Sequence, residues 1–120
     1  MSSTEARIAA YRQRASDCAA EGNVQGEAHA IRHWADLLRR AGETAAARDL
    51  YEDALAKYRE ARDTHPMNLA NALRGFALLD PAPAPGSPAL AAWREARDIY
   101  AAHGVDAGVS ECDQWLGAHS

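Results

Sequence analysis

The chain has 120 residues, enough for one compact domain, and 48% of them are hydrophobic, many being alanine. Because alanine favours helices and β-branched residues are scarce, the composition predicts an all-α protein and excludes an extensive sheet. The formal net charge of -4 argues against a general nucleic-acid-binding protein, although it leaves room for a local basic patch.

Hydrophobic residues recur at alternating spacings of three and four along six segments, which predicts six amphipathic helices. The predicted helices cover residues 4–20, 25–40, 44–63, 67–79, 88–102 and 106–117. We expect the third helix to be the longest. We expect Ser3 or Thr4 to cap the first helix and Thr44 to cap the third, because short polar side chains accept hydrogen bonds from free helical N–H groups. Ser87 should cap the fifth helix, with Pro88 in its first turn.

The chain also resembles itself after a shift of 42 residues, with no gap needed. This shift aligns small and bulky residues of two helix pairs. The aligned residues are Ala28 with Ala70, Ala30 with Ala72, Ile31 with Leu73, Arg32 with Arg74, Trp34 with Phe76, Ala35 with Ala77, Ala47 with Ala89, Tyr51 with Trp93, Ala54 with Ala96 and Tyr58 with Tyr100. The proline-rich tract at residues 80–88 therefore replaces a turn and the adjoining helix ends.

Residues 42–55, with small residues at Ala47 and Ala54 and bulky ones at Tyr51 and Leu55, resemble the turn and second helix of a tetratricopeptide repeat (TPR). A second such pair lies further along the chain, and the resemblance covers roughly residues 28–116. It implies antiparallel helix pairs stacked as a short TPR-like solenoid within a single domain of residues 1–120. Helix pairs of this kind must stack on neighbours to bury their apolar faces.

In that family the first helix of each pair lines a concave groove that binds a peptide or protein. The resemblance assigns this groove to His29, Arg32, Asp36, Arg39 or Arg40, Asn71, Arg74 and Leu78. Two arginines with a histidine and an asparagine would suit a partner that carries a carboxylate or phosphate, because guanidinium binds either group bidentately. The alternative is that Arg32 and Arg74 pair with Asp36 or other acids and only solubilise this face.

The leading interpretation is a protein-protein interaction adaptor or scaffold, not an enzyme, because the sequence has no glycine-rich phosphate loop, nucleophile elbow or metalloprotease motif. A second interpretation is a small-molecule-binding protein or minor enzyme that uses His29, Arg32, Asn71 and Arg74. A third is a self-assembling structural unit, a homo-oligomer that joins through its terminal helices. No cofactor is expected under the leading interpretation.

His29 and His33 have a spacing that can chelate a metal, but no second cluster of ligands accompanies them, so no metal site is predicted. Cys18 and Cys112 lie at helical spacing among small or apolar residues, which indicates reduced, buried thiols. No apolar run approaches the ~20 residues that span a bilayer. Residues 1–5 show no apolar signal core, so a cytoplasmic location is the default expectation.

Overall fold

The computed structural model describes residues 2–61 and 63–119, apart from the side chain of the last of these. Six helices follow one another along the chain: α1 Ser3–Ala20, α2 Val24–Arg40, α3 Thr44–Glu60, α4 Pro66–Ala77, α5 Pro88–Ala102 and α6 Asp106–His119. No strand occurs in the described part of the chain, so the all-α prediction is confirmed. Within the same residues, none of the helices has both the length and the apolar character needed to cross a membrane.

The third helix is shorter than predicted. It ends at Glu60, because Ala61 adopts extended backbone with φ of -79° and ψ of 109°. At 17 residues α3 is shorter than α1, which has 18, so the prediction that the third helix is the longest was wrong. Pro66 begins α4, where its missing N–H is not needed for the helix, and His65 caps that helix by accepting from Met67 N.

The helix caps were predicted with mixed success. Ser87 accepts from Leu90 N at 3.3 Å and caps α5 as expected. The first helix begins one residue earlier than predicted, and its cap is Ser2, whose hydroxyl accepts from Glu5 N at 3.1 Å. At α3 the cap position belongs to Glu43, which makes no side-chain hydrogen bond to the helix, and Thr44 is already helical.

The turns after α1, α2 and α5 share one geometry. Each contains a glycine with positive φ: Gly22 at 71°, Gly42 at 82° and Gly104 at 71°. The residue after the glycine donates to a carbonyl five residues earlier, as Asn23 N does to Cys18 O at 2.9 Å. This is the Schellman motif, which a side chain with a Cβ would disfavour. Each of these turns joins two helices that contact each other.

The chain divides into two compact units, residues 1–64 and residues 65–120. Unit 1 contains α1, α2 and α3, and α2 contacts both of the others. Unit 2 contains α4, α5 and α6, and α5 contacts both of the others. The middle helix of each unit therefore buries two faces and leaves a third face for polar side chains.

Positions related by the 42-residue shift are buried alike in the two units. The most deeply buried pairs, each residue at most 3% exposed, are Ala28 with Ala70, Ala30 with Ala72, Ile31 with Leu73, Ala35 with Ala77, Tyr51 with Trp93, Ala54 with Ala96 and Tyr58 with Tyr100. Alanines let two helices approach closely, and the rings fill the space beside them. The pairs α2–α3 and α4–α5 thus build their cores from the same positions.

Candidate partner-binding site

The predicted groove residues divide between the two units, and all of them are half-buried except Arg40, the alternative to Arg39, which is exposed. His29, Arg32, Asp36 and Arg39 lie on α2, Asn71 and Arg74 lie on α4, and Leu78 caps the C-terminus of α4. The four residues on α2 follow spacings of three and four, so they share one side of the helix.

Asp36 is the centre of an ion-pair network on α2. Its carboxylate lies 3.5 Å from Arg32 Nη1 and 3.7 Å from Arg39 Nη2. The Tyr51 hydroxyl of α3 donates to Asp36 Oδ1 and accepts from Arg39 Nε at 3.0 Å. Burial raises the pKa of Tyr51, so its hydroxyl stays a donor at neutral pH. The sequence left open that Arg32 pairs with Asp36, and this ion pair is present in the structure.

Two histidines meet beside this network. His29 Nε2 and His33 Nε2 lie 3.1 Å apart, with their rings almost perpendicular at 82°. Arg32 Nη2 lies 3.4 Å from the same nitrogen of His33, and the ring of Tyr11 from α1 stacks on His33 with centroids 5.1 Å apart. Burial and then the charge of Arg32 lower the pKa of both histidines, that of His33 to about 4. Both imidazoles are therefore neutral at neutral pH.

The contacts of these nitrogens assign the proton positions. Arg32 is always a donor, so His33 Nε2 must be the acceptor of that contact and His33 carries its proton on Nδ1. His29 Nε2, which faces the same acceptor at 3.1 Å, must then carry its own proton. The two donors, Arg32 and His29, converge on one lone pair of His33.

The α1 side of this site carries arginines that sequence reasoning missed. Arg7, Tyr11 and Arg14 lie four and three residues apart and, with Ala10, line an open pocket of about 220 Å³. Neither Arg7 nor Arg14 forms an ion pair with an acid among the residues that the structure describes. Their spacing in the sequence could have indicated that both arginines lie on the same side of α1 as Tyr11.

We call the surface formed by Arg7, Arg14, Arg32 and Arg39 the basic patch. Within this patch Asp36 forms ion pairs with Arg32 and Arg39. The charge of Arg14 also lowers the pKa of His29 and His33, which shows that α1 and α2 contribute to one electrostatic environment. This local excess of positive charge contrasts with the formal net charge of -4 of the whole chain.

The histidine pair is poorly suited to a metal ion. No group of three or more metal-binding side chains occurs within the described residues. His29 and His33 could supply two nitrogens, but Arg32 Nη2 lies 3.4 Å from the His33 nitrogen that would have to coordinate. A guanidinium at that position repels a cation and attracts an anion.

In unit 2 the predicted arginine is held by an acid from another helix. Arg74 Nε lies 2.6 Å from Glu111 Oε1, and its Nη2 lies 3.1 Å from Oε2, a bidentate pair between α4 and α6. The Tyr100 hydroxyl donates to Asn71 Oδ1 at 2.8 Å. These side chains line an open groove of about 510 Å³. The guanidinium of Arg74 is thus already occupied by a carboxylate of the same unit.

Comparisons with protein-family models, with curated proteins and with solved structures found no match to this chain. Function is therefore inferred from the fold and from the geometry within each of the two units. Of the two sets of predicted residues, the set on α2 belongs to a surface with unpaired positive charge. In the set on α4, the arginine is already paired with a carboxylate of the same unit.

Proposed function

We propose that this chain is a protein-binding adaptor or scaffold whose partner presents acidic side chains or a chain terminus. The observation that carries the proposal is the basic patch, which has four arginines from α1 and α2, of which only Arg32 and Arg39 pair with Asp36. An acidic peptide would gain charge-assisted hydrogen bonds there, and its charge would complement this face.

We further propose that the helix pairs stack as a short TPR-like solenoid. The support is the self-similarity over 42 residues together with the equal burial of the matched positions in α2–α3 and α4–α5. Adaptors of this construction present one face of successive helices to an extended ligand. Binding of an extended ligand in this way is consistent with the polar side chains that lie on one side of α2.

The contacts to the partner are divided unequally among the arginines. Arg7 and Arg14 have no acidic partner within the described residues, so their charge is available to a ligand at little cost. Arg39 is bound to Asp36 and Tyr51 and mainly holds the network in place. Arg32 is intermediate in its availability to a ligand. Its Nη1 is paired with Asp36, but its Nη2 faces only the lone pair of His33.

The test is a fluorescence-polarisation titration of a labelled oligoaspartate peptide. We expect the double variant Arg7→Gln/Arg14→Gln to bind at least about tenfold more weakly, because each lost charged hydrogen bond contributes about 1.5 kcal/mol. Added salt should weaken the wild-type complex as well, since part of the patch is exposed.

The matched control is Arg12→Gln/Arg48→Gln, which removes the same charge from exposed positions outside the patch. Arg12 lies on α1 itself and Arg48 on α3. We expect this control to bind the peptide almost as tightly as the wild type. An equal loss in both double variants would mean that overall charge governs binding, and the proposed site would be wrong.

A further inference from the structure

The histidine pair lies inside the basic patch, where a bound carboxylate would contact it. We propose that the patch takes up one proton together with its ligand: an oxyanion of the partner sits against Arg14, Arg32 and His33, and His33 becomes an imidazolium as it binds. The ligand class is a carboxylate-bearing peptide. This inference rests on the proposed function and specifies how the same site works.

The three nitrogens of Arg32 are directed at three different neighbours. Nη1 faces Asp36 at 3.5 Å and Nε faces the Tyr58 hydroxyl at 3.4 Å, while Nη2 faces His33 Nε2 at 3.4 Å. A charged donor at that distance from a neutral nitrogen makes a long and weak hydrogen bond. A carboxylate oxygen would be a better acceptor for Nη2, because ionic hydrogen bonds are shorter and stronger.

A ligand oxygen at this place changes the role of His33. Without a ligand, His33 Nε2 accepts from both Arg32 and His29, so a proton there would place three N–H groups together. When an oxyanion accepts the bond from Arg32, and His29 exchanges its proton from Nε2 to Nδ1 through solvent, His33 Nε2 can carry a proton and donate to the same oxyanion. The proton comes from solvent, and no covalent bond to carbon forms or breaks.

The surrounding charges give the direction of the effect. In the free protein burial is the largest cause that holds the pKa of His33 at about 4, followed by the charge of Arg32. A bound anion opposes these positive charges and raises the pKa, so the site takes up a proton on binding. The groups that face the pair are Tyr11 and Arg14 from α1, Arg32 and Asp36 from α2, and Tyr58 from α3 through its bond to Arg32.

The test is the pH dependence of peptide binding. Oligoaspartate stays almost fully ionised between about pH 7.5 and about pH 5.5, because its side chains titrate near 3.9. We expect the wild type to bind about tenfold more tightly at the lower pH, since uptake of one proton can change affinity up to tenfold per pH unit. Calorimetry in buffers of different ionisation enthalpy should detect the proton uptake directly.

Three variants assign the proton to its residue. His33→Gln should bind with the same affinity at both pH values, while His103→Gln, altered at an exposed histidine after α5, should keep the full pH dependence. His29→Gln removes the imidazole N–H that faces His33 Nε2 and opposes protonation of that nitrogen. It should therefore retain the pH dependence and shift it to higher pH. Far-UV circular dichroism verifies that each variant is folded.

The outcomes separate this inference from the proposed function. The peptide could bind through Arg7 and Arg14 with equal affinity at both pH values. That result would overturn proton uptake and leave the adaptor proposal standing. A pH dependence that survives in folded His33→Gln, or that does not shift in His29→Gln, also overturns it. No binding of the peptide at either pH overturns both.

Discussion

Gly108 of α6 lies directly against the ring of Tyr100 from α5. A Cβ atom on Gly108 would lie 2.6 Å from Cγ and 2.7 Å from Cδ2 of that ring, closer than real carbon atoms approach. The ring has little freedom to move, because Tyr100 is only 3% exposed and its hydroxyl donates to Asn71 Oδ1. The absence of a side chain at Gly108 therefore sets how closely α5 and α6 approach.

We expect Gly108→Ala to destabilise the protein by about 1–3 kcal/mol, the usual cost of forcing an extra carbon into a packed contact. The better helix propensity of alanine offsets part of this cost. Urea unfolding measures the change. Gly117→Ala on the same helix is the control, because no described atom beyond its chain neighbours and the local helix backbone lies within 4 Å of its Cβ position, and it should be neutral or slightly stabilising. Equal effects of the two changes would contradict this account of Gly108.

The hydroxyl groups of Tyr51 and Tyr58 should differ in their contribution to stability. Tyr51 donates to Asp36 and accepts from Arg39 at 3.0 Å, whereas Tyr58 accepts one long bond from Arg32 at 3.4 Å. We expect Tyr51→Phe to cost about 2 kcal/mol, the range of hydrogen bonds to charged groups, and Tyr58→Phe less than about 1 kcal/mol. Urea unfolding of the two variants, with both rings kept in the core, compares the hydroxyls alone. A larger loss for Tyr58→Phe would show that the Asp36 network is not the stronger one.

Stability should fall as the pH is lowered, through the histidine pair. The folded protein holds the pKa of His33 at about 4, below the value of about 6.5 expected when unfolded. The unfolded chain therefore binds more protons between these pH values, and stability is lost as pH falls from about 6.5 to about 4. Because the ring is partly exposed, we expect this group to account for about 1 kcal/mol and not the full shift.

His33→Gln tests that pH dependence, because glutamine can still accept from Arg32 but does not titrate. The urea midpoint, measured without peptide across the acid range, should change less with pH in this variant than in the wild type. His29, whose pKa is also lowered, should leave a smaller residual slope of the same sign. An unchanged slope in His33→Gln would assign the acid sensitivity to other groups.

The sequence could predict the helices and the buried positions, because periodicity reports which face of a helix meets its neighbours. Tyr51 and Trp93 were aligned by the 42-residue shift and are both fully buried. The end of α3 was less predictable, since Ala61 leaves the helix without a proline or glycine at that position. A local pattern gives no sign of a backbone change of this kind.

The ion pairs of the site could be predicted only in part. The pairing of Arg32 with Asp36 follows from their spacing of four on one helix. The partner of Arg74 is Glu111, which lies on α6 and is 37 residues away in sequence, so it depends on how α4, α5 and α6 pack. Arg7 and Arg14 were missed for the same reason, because nothing in α1 alone shows that Tyr11 stacks on His33.

The two cysteines should react at different rates with a thiol reagent. Both are free, but only Cys112 is buried as predicted, while Cys18 is half-buried near the end of α1. Burial, together with the charges of the nearby Glu111 and Asp113, raises the pKa of Cys112 to about 11, so little thiolate forms there. At neutral pH a disulfide reagent should label Cys18 first.

The reaction of Cys112 should be limited by opening of its surroundings, because its side chain is fully buried in unit 2. Cys18→Ser should therefore remove the fast phase of labelling and leave a slow phase that accelerates in urea. Cys112→Ser should remove the slow phase and keep the fast one. Equally fast labelling of both cysteines in the wild type without urea would contradict the burial of Cys112.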